Sequence, residues 1–249
     1  IAATNHALQR QARLLAHQQR FVRDASHQLR TPLAVLKVQV QSAQRGDLPP
    51  QQALAEIAHT VDSATRLANQ MLALAKVEQL RQQGDAPVLD WADTVREVAL
   101  DLAPLIADAG LDFELDTSPA PVRGHAWALR ELVRNLIHNA VKHSPAGGAL
   151  AVRLAVADGE AQLTVADSGP GIADALRPRL TQPFVGGGSA GSTGLGLAIC
   201  REIVQQLGGS LALDNRPADG GGCAGLDAVV RLPLAAGPAT PPPGDNPAG

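Results

Sequence analysis

Aromatic residues are almost missing from this chain: three Phe, two Trp and no Tyr make up 2% of its 249 residues. Rings are enriched in strands, so their scarcity beside plentiful Ala, Leu and Gly argues against an all-β fold and for helices with glycine loops. Cysteine is nearly as rare. Cys200 and Cys223 form no C-x-x-C pair, which excludes a disulfide scaffold and leaves free thiols expected in a reducing cytosol. No apolar run approaches the ~20 residues of a membrane span, and no secretory signal is present. With a net charge of −3, there is no basic excess to suit nucleic acid or another polyanion. A Walker G-K-[ST] and a βαβ dinucleotide fingerprint are also missing. The length suits one or two domains with a real core. The first residues read as helix without a capping signal, as expected of a piece of something longer.

Periodicity supplies the organisation. Leu8, Leu15, Val22, Leu29, Leu36 and Ala43 recur every seven residues, supplemented by Ala12, Ala25, Leu33 and Val40. After Gly46-Asp47-Leu48-Pro49-Pro50, the residues Leu54, Ile57, Val61, Ala64, Ala68, Met71 and Ala75 alternate three and four apart. These are heptad seams. They predict an αα-hairpin whose wet stripe pairs with a second copy as a dimeric four-helix bundle. Gln82 to Pro87 reads as a linker. Beyond it, strands are predicted at Val88–Asp90, Leu111–Leu115, Leu150–Val156, Gln162–Ala166, Ser210–Leu213 and Ala228–Leu232. Helices are predicted at Trp91–Ala109, Ala126–His143 and Gly194–Leu207, with a hairpin at Asp158-Gly159-Glu160. The fold class is therefore a helical hairpin followed by an α+β two-layer sandwich with a mixed sheet. The Pro/Gly/Ala-rich end reads as a disordered tail.

Within the first helix, "DASHQLRTPLA" places His27 opposite Val22 and Leu29 on the wheel, facing solvent, with Asp24 and Thr31 on its own side. An exposed neutral imidazole is a nucleophile near pH 7. Pro32 has no N–H for the carbonyl of Gln28, so a bend is expected one turn after the histidine. Around His27 there is no repeat at zinc-ligand spacing. By itself, an exposed helical histidine is more often an ordinary surface residue.

A second constellation changes that balance. In "ELVRNLIHNAVKHS", Glu131, Asn135, Asn139 and His143 are spaced by four and form a polar stripe, with Lys142 alongside. Asparagines avoid helix interiors unless their amides have partners. Two carboxamides one turn apart could hold hydrated Mg²⁺, with Lys142 offsetting phosphate charge. In "VADSGPGIA", Asp167 ends a strand before Gly169, Gly171 and Ile172. A fixed carboxylate there can accept from an exocyclic amine, and the glycines let backbone approach a flat base. In "GSTGLGLAICREI", Gly194, Leu195, Gly196 and Leu197 open a helix whose N–H groups favour phosphate. Between them, the run containing Gly186, Gly187, Gly188 and Gly191 has the length of a lid. Structural amides, a plain turn and a weak G-x-G would explain the pieces singly. Together and in this order they point to ATP.

The chain resembles a bacterial two-component sensor histidine kinase over roughly Arg20 to Leu234. "FVRDASHQLRTPL" is similar to the family's phospho-acceptor box, "NLIHNAVKHS" to its asparagine box, and "DSGPGI" and "GLGLAI" to its two glycine boxes. The resemblance implies an entering signal helix (1–19), a dimerisation and histidine phosphotransfer domain (20–84) and a catalytic ATP-binding domain of the gyrase/Hsp90/MutL type (85–236), ahead of the tail (237–249). It implies that His27, assisted by Gln28 and Thr31, accepts the γ-phosphoryl group. Asn139 would coordinate Mg²⁺ and Asp167 would recognise adenine. Asn135, Lys142, His143, Gly169, Gly171, Ile172, Gly194, Leu195, Gly196 and Leu197 would complete the ATP site. The implied partners are a second copy and the receiver domain of a response regulator, whose aspartate takes the phosphoryl group and often loses it again. No nucleic acid is implied. The implied location is the cytoplasmic side of the inner membrane, reached through an N-terminal part outside this chain.

Three departures from the family pattern stand out. Gln28 stands where an acidic residue is usual, Thr181 replaces the first of two phenylalanines and leaves Phe184, and Val185-Gly186 replace an aromatic and a basic residue. Two alternatives stay open on sequence grounds. One is an ATPase of the gyrase type, which carries a water-activating glutamate where Asn135 stands. The other is a dimeric scaffold that holds nucleotide only structurally.

Overall fold

The computed structural model describes residues 2–79, 86–173, 175–183, 185, 194–217 and 223–235, and side chains from residue 23 onward, Asp24 among the exceptions. The expected linker at 82–85, the Gly-rich run at 186–191, Phe184 and the tail at 237–249 lie outside the described residues, as do the side chains of Leu8, Ala12, Leu15 and Val22. The chain divides into two compact units between Leu72 and Ala73.

The first unit is built from two helices, α1 (Ala2–Arg45) and α2 (Pro50–Gln79), the latter running on into the second unit. Pro32 lies inside α1. The bond it denies to the Gln28 carbonyl does not end the helix. The turn between the helices is closed by Asp47 N donating to Ser42 O at 3.1 Å and by Ser42 Oγ donating to Asp47 Oδ2 at 3.1 Å. Thr60 Oγ1 donates to Gln39 Oε1 at 2.9 Å, a polar tie that fixes the helices' register within an otherwise apolar contact. Ala53, Leu67 and Met71 are buried and Leu29, Leu36, Ile57 and Ala64 half-buried, whereas Leu33, Leu54 and Val61 remain exposed in the single chain. No helix among the described residues is long and apolar enough to cross a membrane.

The second unit runs β1 (Val88–Asp90), α3 (Trp91–Asp108), β2 (Asp112–Thr117), β3 (Pro121–Arg123), α4 (Ala126–His143), β4 (Ala149–Ala157), β5 (Glu160–Ala166), α5 (Gly196–Gln206), β6 (Ser210–Pro217) and β7 (Cys223–Pro233). Five strands form one sheet in the order β2-β4-β5-β7-β6, with β2 parallel to β4 and the other pairs antiparallel. The sheet is mixed, as expected. Strand β5 alternates buried Ala161, Leu163 and Val165 with half-buried Gln162, Thr164 and Ala166. Its inner face packs with α4, whose Leu132, Leu136 and Ile137 share one core with Ile199 and Ile203 of α5, the helix that lies on β6 and β7. At the β4–β5 turn Asp158 and Gly159 both have positive φ, 54° and 78°, as the favoured two-residue hairpin requires. Asp90 caps α3 by accepting from Ala92 N at 3.0 Å, and its Oδ1 also accepts from Ala120 N at 2.9 Å.

Several element bounds differ from the pattern-based ones. α5 begins at Gly196 instead of Gly194, and β6 and β7 extend to Pro217 and back to Cys223. The three-residue β3 and the short 3-10 turn Arg177–Arg179 carry no periodic signal and are added by the fold.

Candidate functional site

On α1, Ser26, His27, Gln28 and Thr31 are exposed, while Leu29 and Pro32 are half-buried. The heptad position thus turns inward and the imidazole outward, because residues two apart on a helix differ by about 200°. The side chain of Asp24 lies outside the described residues.

In the second unit, α4 supplies one wall of a polar cluster. Asn135 is buried, and its Nδ2 donates to the Glu131 backbone oxygen and to Glu131 Oε1, each at 2.8 Å. This places an amide inside a helix with its donors occupied, as a buried carboxamide requires. Its Oδ1 faces the start of α5: a Cβ on Gly196 would lie 3.0 Å from it and 3.6 Å from Asn139 Nδ2. Gly196 is therefore the close-approach residue that lets the two helices meet at Asn135 and Asn139. Leu195 is buried and Leu197 half-buried, so these two secure α5 to the core while Gly196 borders the cluster.

A second group forms around the loop after β5. Asp167 is buried, with N and O of Leu226 on β7 pairing its main chain and carboxylate. Asp167 N donates to Leu226 O at 2.9 Å, and Leu226 N donates to Asp167 Oδ1 at 3.2 Å. Gly169 N donates to the same oxygen at 2.7 Å. Oδ1 is thus saturated by backbone donors, and Oδ2 has no hydrogen-bond partner among the described residues. The helix end of α4 presses on this loop, since a Cβ on Gly169 would come 2.9 Å from the His143 backbone oxygen. His143 is held below the ordinary imidazole range by desolvation and then by the Lys142 ammonium, against an opposing pull from Asp167. It is consequently neutral at pH 7, with one ring N–H and one acceptor. Lys142 is half-buried beside it.

Several residues that the motifs did not single out hold the loop. Asn215 Oδ1 accepts from Ile172 N and Asn215 Nδ2 donates to Ile172 O, both at 2.8 Å. Arg216 donates to the Asp167 backbone oxygen and to Asp227. Arg177 Nη1 donates to Leu213 O at 2.9 Å. Arg201 Nη1 donates to Thr181 Oγ1 at 2.9 Å, so the position lacking the usual phenylalanine is anchored by a polar contact. The structure thus gathers Asn135, Asn139 and Gly196 into one group and His143, Asp167, Gly169, Gly171 and Ile172 into another. Gly194 precedes the α5 start, and His27, Gln28 and Thr31 belong to the first unit.

The described residues include no cluster of three or more His, Cys, Asp or Glu able to cage a metal ion. The carboxamide oxygens of Asn135 and Asn139 are hard donors of the kind Mg²⁺ accepts beside phosphates and water.

Residues 17–80 match the His Kinase A (phospho-acceptor) domain, and residues 124–236 match the histidine kinase-, DNA gyrase B-, and HSP90-like ATPase family. The latter makes the second unit an ATP-binding domain. Sensor protein QseC of Salmonella typhi is 33% identical over 238 residues, which are 93% of this chain and 51% of that protein. The chain therefore spans about half the length of the curated relatives it matches. The solved Acinetobacter baumannii histidine kinase AdeS is similar with a TM-score of 0.69 and 25% identity, covering 84% of this chain and 98% of that one. The mycobacterial sensor histidine kinase MprB is 31% identical with a TM-score of 0.55, covering 60% of this chain and 97% of that one. Both domain matches in the family's order, and a solved sensor kinase covered almost end to end, show that the chain belongs to the sensor histidine kinases.

Proposed function

We propose that this chain is a kinase core that autophosphorylates His27 from Mg-ATP and passes the phosphoryl group to an aspartate of a response regulator. Removal of that group from the regulator is included as a second activity. Residues 20–84 serve as the dimerisation and phosphotransfer domain and residues 85–236 as the catalytic domain. The observation that carries the reading is Asn135: the position facing Gly196 is an amide, with its donors held by Glu131. An amide has no proton-accepting capacity to activate water. Bound ATP is then preserved for a protein nucleophile.

Asp167 receives the adenine amine on Oδ2, while Gly169 and Gly171 let the loop approach the base. Asn139 would hold Mg²⁺, which supplies charge neutralisation on the phosphates; Lys142 adds a second cation and Gly194 to Leu197 the helix N-terminus. Nε2 of His27 attacks the γ-phosphorus, the bond to the β–γ bridging oxygen breaks, and ADP leaves. The proton on the other ring nitrogen then becomes excess charge and passes to solvent or a base, with Gln28 orienting it through its carbonyl oxygen. The half-buried and exposed apolar residues of the first unit, Leu29, Ile57, Leu33, Leu54 and Val61, support a homodimer. The full protein would sit at the cytoplasmic side of an inner membrane, anchored by a part outside this chain. The support is that the matched sensor proteins are about twice as long.

Labelling with γ-³²P-ATP tests the reading. Acid-labile phosphate on the protein, lost in His27→Gln, is the expected result. Free phosphate without labelling would favour the ATPase, and neither product the scaffold.

A further inference from the structure

Four consecutive residues of β6, an edge strand of the five-stranded sheet, bind the segment that carries the nucleotide loop. Leu213 O accepts from Arg177 Nη1 at 2.9 Å, and Asp214 Oδ1 lies 3.9 Å from the same guanidinium. Asn215 closes a two-bond ring with the main chain of Ile172. Arg216 spans the carbonyl of Asp167 and the carboxylate of Asp227. The two ends of the Asp167–Ile172 loop are thus clamped by adjacent side chains. Gly225 on β7 makes room for the clamp, since a Cβ there would collide with the Asp167 oxygen and with Arg216 Nη2. Asn215 spends its side-chain hydrogen bonds on the loop's backbone and Arg216 divides its own between that backbone and Asp227, which is more than sheet pairing requires.

We propose that Asn215 and Arg216 are positioning residues for adenine recognition, fixing the two ends of the loop so that Asp167 Oδ2 points in one direction. The inference rests on Asp167 receiving the adenine amine. A hydrogen bond weakens steeply as its angle opens. Releasing the Asp167 carbonyl frees the peptide plane that follows it, and the carboxylate then samples directions that miss the amine. The ring faces and the phosphates, held by other residues, lose little. The clamp therefore acts on the preference for a 6-amino purine more than on nucleotide binding in general.

The test compares ATP with purine riboside triphosphate, which lacks the 6-amino group, by calorimetry on the full chain. Arg216→Met combined with Asp227→Asn removes the guanidinium without leaving its carboxylate partner charged, and Arg216→Lys and Asn215→Ser are the milder variants. The expected result is that ATP binding by the double variant weakens about fivefold or more while analogue binding changes less than about twofold. Arg216→Lys should fall between it and the wild type, and the turnover at saturating ATP should be kept. Should the double variant fail to melt cooperatively, Arg216→Lys and Asn215→Ser carry the same comparison. Equal weakening of both nucleotides, or an unchanged preference for ATP, would overturn the positioning role while leaving the Asp167 reading intact. A wild type that binds both nucleotides equally would instead remove the Asp167 reading, and this inference with it.

Discussion

Replacing Gly171 with alanine asks whether the shape of the loop, apart from its chemistry, carries nucleotide binding. Gly171 has a φ of 71°, where an L residue is strained by about 1–2 kcal/mol. The added methyl would collide with Cys223 Sγ and lie 2.8 Å from Asn215 Oδ1. That oxygen is the acceptor for Ile172 N at 2.8 Å, and pushing it aside forfeits about 0.5–1.5 kcal/mol. The two effects add to about 1.5–3.5 kcal/mol, or roughly 10- to 300-fold at about 1.4 kcal/mol per decade. Asn215 belongs to a packed sheet, so the loss divides between lower affinity for ATP and lower stability of the domain. Calorimetric titration with ATP and denaturant unfolding on the same preparation measure both parts, and their sum is the quantity to compare. Adding Cys223→Ala should relieve the collision with the sulfur, which comes on top of that sum, and leave the shares due to φ and to Asn215. A combined loss below about 1 kcal/mol would mean that the loop relaxes freely, and the geometric reasoning would be wrong.

Charged substitutions at Leu29 and Ile57, both half-buried in a single hairpin, should yield monomers with much weaker autophosphorylation; a wild-type monomer in light scattering would refute the bundle. Gln28→Glu should speed His27 phosphorylation and Gln28→Ala slow it, the former by up to about 100-fold if a general base is restored, with ATP affinity unchanged. A neutral Gln28→Glu beside an inactive Asp24→Asn would assign the base to Asp24. The Cys200 thiol is fully buried and pushed far above the usual thiol range by that burial and by Glu131, whereas Cys223 is half-buried. An aromatic disulfide reagent should therefore titrate one thiol quickly in the native protein and the second only on unfolding; two fast thiols would contradict the packing around α5.

Local patterns went furthest where one helix or one turn contained the whole signal. Val88–Asp90 and Ala126–His143 fall where their patterns place them, and Asp158-Gly159 forms the expected hairpin turn. The apolar-polar alternation of β5 and the spacing by four along α4 are local, so the stripe from Glu131 to His143 could be read directly. Strand β3 begins with Pro121 and spans three residues, too short for any period to register. The far ends of β6 and β7 contain Asn, Arg, Pro, Cys and Gly, and they become strands by pairing with each other. The same limit hid Asn215 and Arg216. Their partners Ile172 and Asp167 are 43 and 49 residues away, and nothing nearby in the chain marks two polar residues on an edge strand as loop clamps. An Asn-Arg pair following an alternating apolar run was the one visible sign.

The two edge strands of the five-stranded sheet, β2 and β6, present different chemistry to a strand laid against them. Along β2, Asp112, Glu114 and Asp116 are exposed, so a foreign strand laid against that side would desolvate three carboxylates. The β6 side has no such row of like charges; there Arg177 covers the Leu213 carbonyl and the Asn215 side chain holds Ile172. An unpaired strand flank is a template for addition of another chain. Loosening the loop together with the Arg177 turn that follows it would therefore also free the Leu213 carbonyl to pair with a foreign strand. On the proposed reading, self-association and nucleotide discrimination would both depend on the six residues from Asp167 to Ile172.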